Sequence, residues 1–309
     1  MTIHTLGLTP ALDVVYVLDR IELGAIHRPD TVIRSAGGKS LNVARALAKF
    51  ERPVRAIVPL GGHIGDLVES LLHATSVEVE RIPSAVETRM CMTSVDRSSG
   101  ALTEFYEPVT CFDVPLDVIA ERLATIQPGE WLTVSGGMPA GIAVSDIADL
   151  LAHERMRGVR LAIDVHGPAL PAILTVSRPD LIKINRAEAK EATGLDDADT
   201  AASALLEFGC GVAVITDGEA GSIAKRSGEV AAVAPAADPG LYPVGSGDCY
   251  LAGLVTALAD GRDLGSAVAF ASAAGAANAR VPGAAELDLK SLGALHDAAA
   301  ATTTIHAAP

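Results

Sequence analysis

Residues 180–194 read DLIKINRAEAKEATG, and this stretch holds the pattern that decides the fold. Residues 180–184 are mostly apolar and predict a short strand, which ends at Asn185. Residues 186–193 predict a helix that is closed by Gly194, since glycine readily takes the left-handed conformation that ends helices. A strand followed by a helix is the repeating unit of parallel sheets, because the helix carries the chain back for the next strand.

The same unit recurs on both sides of this stretch. The segments predicted as strands are 3–8, 55–60, 77–81, 131–135, 160–164 and 212–216, and those predicted as helices are 41–48, 66–73, 115–126, 143–157, 199–208, 248–259, 264–280 and 289–300. Apolar strands that alternate with helices predict an α/β fold, with a mostly parallel sheet covered on both faces. Residues 294–309 are rich in alanine and threonine and are expected to be frayed.

One part of the chain interrupts this alternation. Residues 87–95 and 102–106 alternate between apolar and polar side chains and are joined by Arg97-Ser98-Ser99-Gly100, which predicts a β-hairpin. Residues 24–35 are polar and broken, with no strand predicted. A small β insertion that projects from the main sheet is therefore expected.

Polar side chains and glycines gather where the predicted strands end. Ligands of open α/β sheets bind beyond the carboxyl ends of the strands, so a binding site is expected there. The residues concerned are Ser135, Gly137, Asp164, Lys183, Asn185, Glu188, Thr216 and Gly218. Asn185 and Glu188 share one helix face, where they could hold Mg²⁺ through water or form a capping box. The local sequence leaves both readings open.

A second stretch, YPVGSGDCYLAG at 242–253, carries the chemistry. Gly245 and Gly247 flank Ser246, and Asp248 follows just before an apolar run that predicts a buried helix. Backbone N–H groups at such a helix start point at one spot, where the helix dipole favours an anion. An anion site beside a carboxylate suggests phosphoryl transfer. The alternative is a tight turn with Asp248 as an ordinary N-cap residue.

A third stretch places Gly37 and Gly38 directly before a helix whose first turn holds Lys39 and Asn42. The Gly-Lys-Ser sequence is not a P-loop, because that motif needs glycine at position 33, which is Ile33. A Rossmann dehydrogenase is excluded as well, since Tyr250 stands where the third glycine of its fingerprint belongs. What remains is a second polar site at a helix start.

Composition excludes several classes of function. The net charge of −14 and the aromatic content of 3% argue against a nucleic-acid partner, which needs a basic face or stacking platforms. The four cysteines form no CxxC pair, so neither a zinc site nor a redox pair is indicated. The start of the chain does not resemble a signal peptide, and no apolar run approaches the ~20 residues that span a bilayer. A cytoplasmic protein without a membrane partner is expected.

The chain resembles the pfkB/ribokinase family of carbohydrate kinases along essentially its full length. The N-terminal family signature is similar to residues 36–44, AGGKSLNVA, and the C-terminal one to residues 244–253, VGSGDCYLAG. Three further motifs fall between them in family order: residues 135–139, residues 183–188, and residues 216–221. Departures from the usual family residues are Ser40, Gly137, Asp164-Val165-His166-Gly167 and Ile184, and those on the sugar side leave the substrate open.

The resemblance implies a single kinase domain over residues 1–309, with a ribokinase-like, three-layer, Rossmann-type core. A small β-sheet lid would be formed by about residues 11–36 and 86–110. Related lids pair across a two-fold axis, which implies a homodimer. Residues 11–13, Gly24 with Arg28, Thr88-Arg89 and residues 103–108 resemble the sugar-phosphate branch, which includes 1-phosphofructokinases and tagatose-6-phosphate kinases.

The resemblance also implies a role for each motif, in a kinase that uses ATP with Mg²⁺ and an alcohol group as acceptor. Asp248 would act as general base, and the N–H groups of Gly245, Ser246 and Gly247 would stabilise the transferring phosphoryl group. Substrate-binding residues would be Asp13, Arg28, Gly37, Gly38, Lys39, Asn42, Arg89, Ser135 and Gly137. Nucleotide-binding residues would be Lys183, Asn185, Thr216, Gly218, Gly221 and Asn278, with Asn185 and Glu188 organising the water shell of the metal.

Two alternatives to a sugar-phosphate kinase remain at this point. A kinase of an unphosphorylated sugar or nucleoside would use the same scaffold, and a panel of acceptors distinguishes it. A non-catalytic sugar sensor would keep the fold but not the chemistry. The presence of Asp248 and both flanking glycines disfavours the sensor.

Overall fold

The computed structural model describes residues 1–108, 112–218 and 220–307, which form two sheets and the helices around them. The strands are β1 (Ile3–Leu6), β2 (Ala11–Leu18), β3 (Thr31–Gly37), β4 (Val54–Leu60), β5 (Val77–Pro83), β6 (Arg89–Asp96), β7 (Leu102–Tyr106), β8 (Trp131–Gly136), β9 (Arg160–Val165), β10 (Leu181–Asn185), β11 (Val212–Asp217), β12 (Gly221–Arg226), β13 (Glu229–Val233) and β14 (Thr304–Ala307). The helices are α1 (Lys39–Lys49), α2 (Gly62–His73), α3 (Leu116–Leu123), α4 (Val144–Met156), α5 (Leu170–Ser177), α6 (Arg186–Thr193), α7 (Ala198–Glu207), α8 (Ser246–Ala259), α9 (Leu264–Ala279) and α10 (Leu292–Thr302).

The main sheet has ten strands in the order β14-β13-β12-β11-β10-β9-β8-β1-β4-β5. Every neighbouring pair from β11 to β5 is parallel, whereas β12, β13 and β14 add an antiparallel edge. The prediction of a mostly parallel α/β sheet is confirmed. Because the parallel strands run the same way, their carboxyl ends line one edge of the sheet.

Helices cover both faces of this sheet, which makes three layers. One face packs against α1, α8 and α9 through a cluster that includes Leu41, Leu251 and Val268. The other face packs against α3, α4, α5 and α7 through a cluster that includes Leu151 and Ile173. The central strands are buried on both faces, so they are apolar at nearly every position rather than at alternate ones.

The second, smaller sheet has four strands in the order β3-β2-β6-β7. The predicted hairpin is confirmed, since β6 and β7 pair antiparallel around residues 97–100. The sequence predicted no strand in residues 24–35, and this was wrong. Strand β3 pairs with β2, and Ile33 joins Val15, Val17 and Val95 in a small apolar cluster. Of the expected lid segment 86–110, residues 109 and 110 lie outside the described residues.

The expected fraying of residues 294–309 was wrong for residues 294–307, and residues 308 and 309 lie outside the described residues. Helix α10 continues to Thr302, and Thr304–Ala307 forms β14 against β13. An unpaired edge strand offers a row of free N–H and C=O groups, and β14 satisfies those of β13. Within the described residues, the longest apolar helices are too short or too polar to cross a membrane.

Candidate active site

The strand-end residues singled out by the sequence lie side by side. Ser135 on β8 is the register partner of Asp164 on β9, and Asn185 on β10 is the register partner of Thr216 on β11. Strands β9 and β10 are also neighbours, so one polar row follows the carboxyl edge of the sheet. This edge is where ligands of open α/β sheets bind.

The Gly-Ser-Gly-Asp stretch forms the turn that starts α8, which we call the anion turn (residues 244–247). Gly245 is the N-cap residue of α8 and has a φ of 83°, a left-handed conformation that favours glycine. A Cβ at Gly245 would also lie 2.9 Å from the Cα of Ala284. A Cβ at Gly247 would lie 2.7 Å from Nζ of Lys183, so this lysine rests against the turn. An ammonium group and a helix N-terminus therefore meet at one place.

The predicted set of N–H donors is only partly free. The N–H of Ser246 donates to the carbonyl oxygen of Pro243 at 3.0 Å, so it is used within the turn. The N–H groups of Gly245 and Gly247 have no backbone acceptor among the residues that the structure describes. An anion at this turn would meet those two groups and Lys183.

Asn278 supports the turn from behind. Its side chain is fully buried, and Nδ2 donates to the carbonyl oxygen of Val244 at 2.8 Å and to Oγ of Ser246 at 3.2 Å. The thiol of Cys249 donates to Oδ1 of Asn278 at 3.5 Å. The nucleotide contact predicted for Asn278 stays a prediction, and in the structure its side chain bonds to residues of α8 and the turn before it.

Asp248 lies in the first turn of α8 and does not cap the helix, so the N-cap interpretation is wrong. The N-cap position belongs to Gly245, and the buried carboxylate of Asp248 instead accepts a hydrogen bond from Nδ2 of Asn42 at 2.9 Å. Burial raises the pKa of Asp248 to about 7, and repulsion from Asp164 acts in the same direction. A carboxylate that titrates near neutral pH is suited to accept a proton in catalysis.

Asp164 is fully buried between two ammonium groups. Its Oδ1 accepts a hydrogen bond from Nζ of Lys39 at 2.8 Å, and its Oδ2 accepts one from Nζ of Lys183 at 2.9 Å. Burial alone would raise the pKa of Asp164, but the attraction of Lys183 and Lys39 outweighs it and lowers the pKa to about 2. Asp164 is therefore ionised throughout the physiological pH range.

The start of α1 brings the predicted sugar-side residues together. Gly38 is its N-cap residue, and Asn42 lies between the carboxylates of Asp248 and Asp13. Gly37 faces Asp13 so closely that a Cβ at this position would overlap the carboxylate. Burial raises the pKa of Asp13 to about 6, although Arg45 opposes this shift.

Asn185 and Glu188 form the capping box that the sequence allowed. Oδ1 of Asn185 accepts from the N–H of Glu188 at 2.9 Å, and Oε2 of Glu188 accepts from the N–H of Asn185 at 2.9 Å. The other oxygen of Glu188, Oε1, lies 3.2 Å from Nζ of Lys39. Across the described ranges, no three His, Cys, Asp or Glu side chains are arranged to hold a metal directly. Because the capping bonds use part of each side chain, Asn185 and Glu188 could hold Mg²⁺ through water but not directly.

Comparison with protein families shows which family the chain belongs to. Residues 3–291 match the model described as pfkB family carbohydrate kinase. The chain belongs to the pfkB family. This pfkB chain is therefore an ATP-dependent carbohydrate kinase.

Relatives of this pfkB kinase include two phosphofructokinases. It is 31% identical to 1-phosphofructokinase from Rhodobacter capsulatus, over 88% of this chain and 89% of that protein. It is 29% identical to ATP-dependent 6-phosphofructokinase isozyme 2 from Escherichia coli K12, over 89% of this chain and 91% of that protein. Phosphofructokinase-2 from Escherichia coli, crystallised in complex with substrates and products, has the same fold, with a TM-score of 0.88 and 26% identity over 97% of this chain and 99% of that one.

The two arginines predicted to bind a sugar phosphate lie in different parts of the small sheet and its loops. Arg89, at the start of β6, donates to the carbonyl oxygens of Glu107 at 3.0 Å and Thr9 at 3.4 Å. Arg28 is exposed on the loop between β2 and β3 and forms no ion pair or hydrogen bond with the part of the chain that is described. The structure therefore does not bring Arg28 to Arg89.

Ser135 and Gly137 lie at the end of β8. Oγ of Ser135 is buried without a hydrogen-bond partner among the described residues, and so is Oδ1 of Asn42. Gly137 faces His166, whose Nδ1 lies 4.0 Å from Oε1 of Glu188. His166 therefore lies at the rim of the site.

The residues predicted to bind the nucleotide are less enclosed. Oγ1 of Thr216 donates to the carbonyl oxygen of Ile184 at 3.4 Å, and Gly218 is exposed just beyond β11. A Cβ at Gly221 would overlap the carbonyl oxygen of Val233, so the start of β12 requires glycine. The structure brings Thr216 to the polar row, while Gly218 and Gly221 shape the adjoining hairpin.

Sequence reasoning missed Arg45 entirely. This buried residue donates to the carbonyl oxygens of Ala36 at 3.2 Å and Ala284 at 3.0 Å, and it forms an ion pair with Glu286. It thereby links α1 to the segment that packs against Gly245. Its spacing of three residues from Asn42 on α1 was the one available signal, since residues three apart share a helix face.

Proposed function

We propose that this kinase transfers the γ-phosphoryl group of ATP to a hydroxyl of a phosphorylated ketohexose, such as fructose 1-phosphate, fructose 6-phosphate or tagatose 6-phosphate. The observation that carries the proposal is the buried carboxylate of Asp248 in the first turn of α8, directly beside the anion turn and Lys183. The acceptor class is supported by the phosphofructokinase names of the relatives.

Asp248 is the general base in this proposal. It takes the proton of the acceptor hydroxyl while the oxygen bonds to the γ-phosphorus and the bond to the bridging oxygen of ADP breaks. The products are ADP and a sugar bisphosphate. Since the pKa of Asp248 is raised to about 7, kcat/KM should rise with pH through neutrality and level off above it.

The anion turn and the two lysines stabilise the transferring group. The N–H groups of Gly245 and Gly247 donate to the oxygens that gain charge, and Ser246 contributes through its place in the turn rather than through its N–H. Lys183 and Lys39, which already donate hydrogen bonds to Asp164, also bind phosphate oxygens of the ligand. Mg²⁺, held through water by Asn185 and Glu188, would neutralise charge on the nucleotide phosphates.

The acceptor binds between α1 and the small sheet. Asp13, Gly38 and Asn42 bind sugar hydroxyls, and Ser135 extends this surface from β8. The buried and unpartnered Oδ1 of Asn42 and Oγ of Ser135 support this placement, because such atoms are unfavourable unless a ligand or water pairs with them. Arg89 binds the phosphate through its guanidinium, and the proposed role of Arg28 requires the loop between β2 and β3 to move, since the structure does not bring Arg28 to Arg89.

A panel of acceptors tests the proposal. Purified protein is incubated with ATP and Mg²⁺ and with fructose 1-phosphate, fructose 6-phosphate, tagatose 6-phosphate, fructose, ribose or adenosine, and products are identified by ³¹P NMR. We expect a bisphosphate product from at least one ketohexose phosphate. Turnover of unphosphorylated acceptors alone would show a ribokinase-like kinase and contradict the roles of Arg28 and Arg89, and no turnover at all would favour a sugar sensor.

We also propose that the small sheet is a lid through which two chains form a homodimer. The loop between β2 and β3 exposes Leu23 at 102% and Ile26 at 86% of their full surface, and β7 exposes Phe105 at 57%. Large exposed apolar side chains on this sheet support its role as an interaction surface.

Light scattering after gel filtration tests the homodimer. The wild type is expected to be a dimer, and the double variant Leu23→Asp/Ile26→Asp is expected to be a monomer. Met156→Asp is the matched control, because Met156 is 79% exposed on α4, away from the small sheet. A monomeric wild type, or a dimeric double variant, would contradict this interface.

A further inference from the structure

Asp164 has no role in the proposed chemistry so far, yet it is the most fully enclosed charge at the site. Its carboxylate is shielded completely from solvent and forms ion pairs with Lys39 at 2.8 Å and with Lys183 at 2.9 Å. A buried carboxylate is costly unless it is paired, and here two cations from separate elements, α1 and β10, pair with it. Such a cluster fixes the position of both ammonium groups.

The position of these ammonium groups matters because Asp248 lies close to them. Both lysines act electrostatically on Asp248, but within residues 1–108, 112–218 and 220–307 neither forms an ion pair with it. The hydrogen bond that Asp248 receives comes from the neutral amide of Asn42. Asp164 is thus the partner of the lysines, and Asp248 is left without one.

We propose that Asp164 is a positioning residue, which holds Lys183 beside the anion turn and keeps both Lys183 and Lys39 from pairing with Asp248, so that the carboxylate of Asp248 remains available as the base. The proposal rests on the proposed function and deepens it. A salt bridge between Asp248 and either lysine would occupy the oxygen that must accept the proton. Asp164 prevents this by offering the lysines a closer counterion.

The groups that face Asp248 come from several elements. Lys39 and Asn42 belong to α1, Asp164 to β9, and Lys183 to β10. Asp13 on β2 lies on the far side of Asn42, and Glu188 on α6 pairs with Lys39. Among these groups, Asp164 is the one that repels a negative charge on Asp248 most directly.

The titration of Asp248 tests the proposal without relying on turnover. Protein labelled with ¹³C at aspartate carboxyl carbons is titrated by NMR, and the Asp248 signal is assigned by its loss in Asp248→Asn. In Asp164→Asn, we expect the midpoint of Asp248 to fall by about one unit or more, because a like charge is removed and the freed lysines approach Asp248. In Lys183→Met, we expect it to rise, because an attracting cation is removed.

A control and a second variant keep the test decisive. Asp180→Asn removes a carboxylate that pairs with Arg155 at the opposite end of the sheet, and it should leave the titration of Asp248 unchanged. If Asp164→Asn does not fold, the double variant Asp164→Asn/Lys183→Met removes one charge of each sign and should titrate near the wild type. A double variant that titrates like Lys183→Met alone, or an unchanged midpoint in Asp164→Asn, would overturn the proposal.

Activity separates this inference from the proposed function. In the folded variants, the acid limb of kcat/KM against pH should move in the same direction as the NMR midpoint. A uniform loss of activity at every pH, with no movement of the limb, would indicate a merely structural role for Asp164 and overturn the proposal. A wild type that phosphorylates no acceptor would contradict the proposed function, while the NMR titration would still decide whether Asp164 governs Asp248.

Discussion

Asp248→Asn is expected to lower kcat by about 10²–10⁴-fold, the range that general acid–base groups contribute. Asparagine has nearly the same shape as aspartate, and its side-chain oxygen can still accept the hydrogen bond from Asn42 that Asp248 accepts at 2.9 Å. It cannot take a proton from the acceptor hydroxyl at neutral pH. Steady-state release of ADP, in the presence of saturating acceptor, measures the effect.

The control for this variant lies at the other end of the same helix. Asp260→Asn removes the carboxylate that follows α8 and pairs with Arg52, far from the anion turn. It should keep kcat within a few-fold of the wild type. Calorimetry should show that Asp248→Asn still binds a non-hydrolysable ATP analogue. If kcat of Asp248→Asn stays within about tenfold of the wild type, Asp248 is not the base.

Gly245→Ala is expected to lower kcat by about 10²-fold or more and to destabilise the protein by roughly 1–2 kcal/mol. Alanine at a φ of 83° is strained, and its Cβ would meet the Cα of Ala284 and the N of Ala285 at 2.9 Å. Both are backbone atoms, so the turn itself must shift, and with it the N–H donors that the reaction needs. Thermal unfolding and steady-state kinetics measure the two effects.

Gly261→Ala is the control that introduces backbone strain without a steric clash. Gly261 follows α8, has a φ of 74°, and has nothing within 4 Å of the position that a Cβ would occupy. It should lose similar stability from strain but keep its kcat. An equal loss of kcat in both variants would mean that the loss does not depend on the anion turn, which would contradict the role of this turn in catalysis.

The fold was predictable because the decisive signals are local. In residues 180–194 the apolar strand, the strand-end amide and the closing glycine follow one another, and the structure confirms both β10 and α6. Strand β3 was missed because its polar residues carry no such signal. It forms because β2 offers a neighbouring edge and Ile33 completes an apolar cluster with Val15.

The candidate site was predictable as a list of residues but not as a set of contacts. The sequence placed Lys39 on the sugar side and Lys183 on the nucleotide side, whereas the structure joins both through Asp164. No spacing rule connects positions 39, 164 and 183, since they meet only when three separate elements pack together. Arg45 and its carbonyl partners were missed for the same reason.

The Asn185–Glu188 pair shows where local reasoning stays ambiguous. A capping box and a hydrated metal site need the same residue types at the same spacing, so the sequence could not separate them. The structure contains both hydrogen bonds of the capping box. It also leaves Oε1 of Glu188 beside Lys39, where a cation already lies.

In the proposed reaction the acceptor already carries a phosphate group. This requirement is tested most directly by comparing kcat/KM for fructose 1-phosphate and fructose 6-phosphate with kcat/KM for fructose, at fixed ATP and Mg²⁺. We expect at least one phosphate ester to be preferred by about 10³-fold or more, since charge-assisted contacts to a phosphate each contribute about 1.5–3 kcal/mol. A kcat/KM for fructose equal to or above those of both phosphates would contradict it.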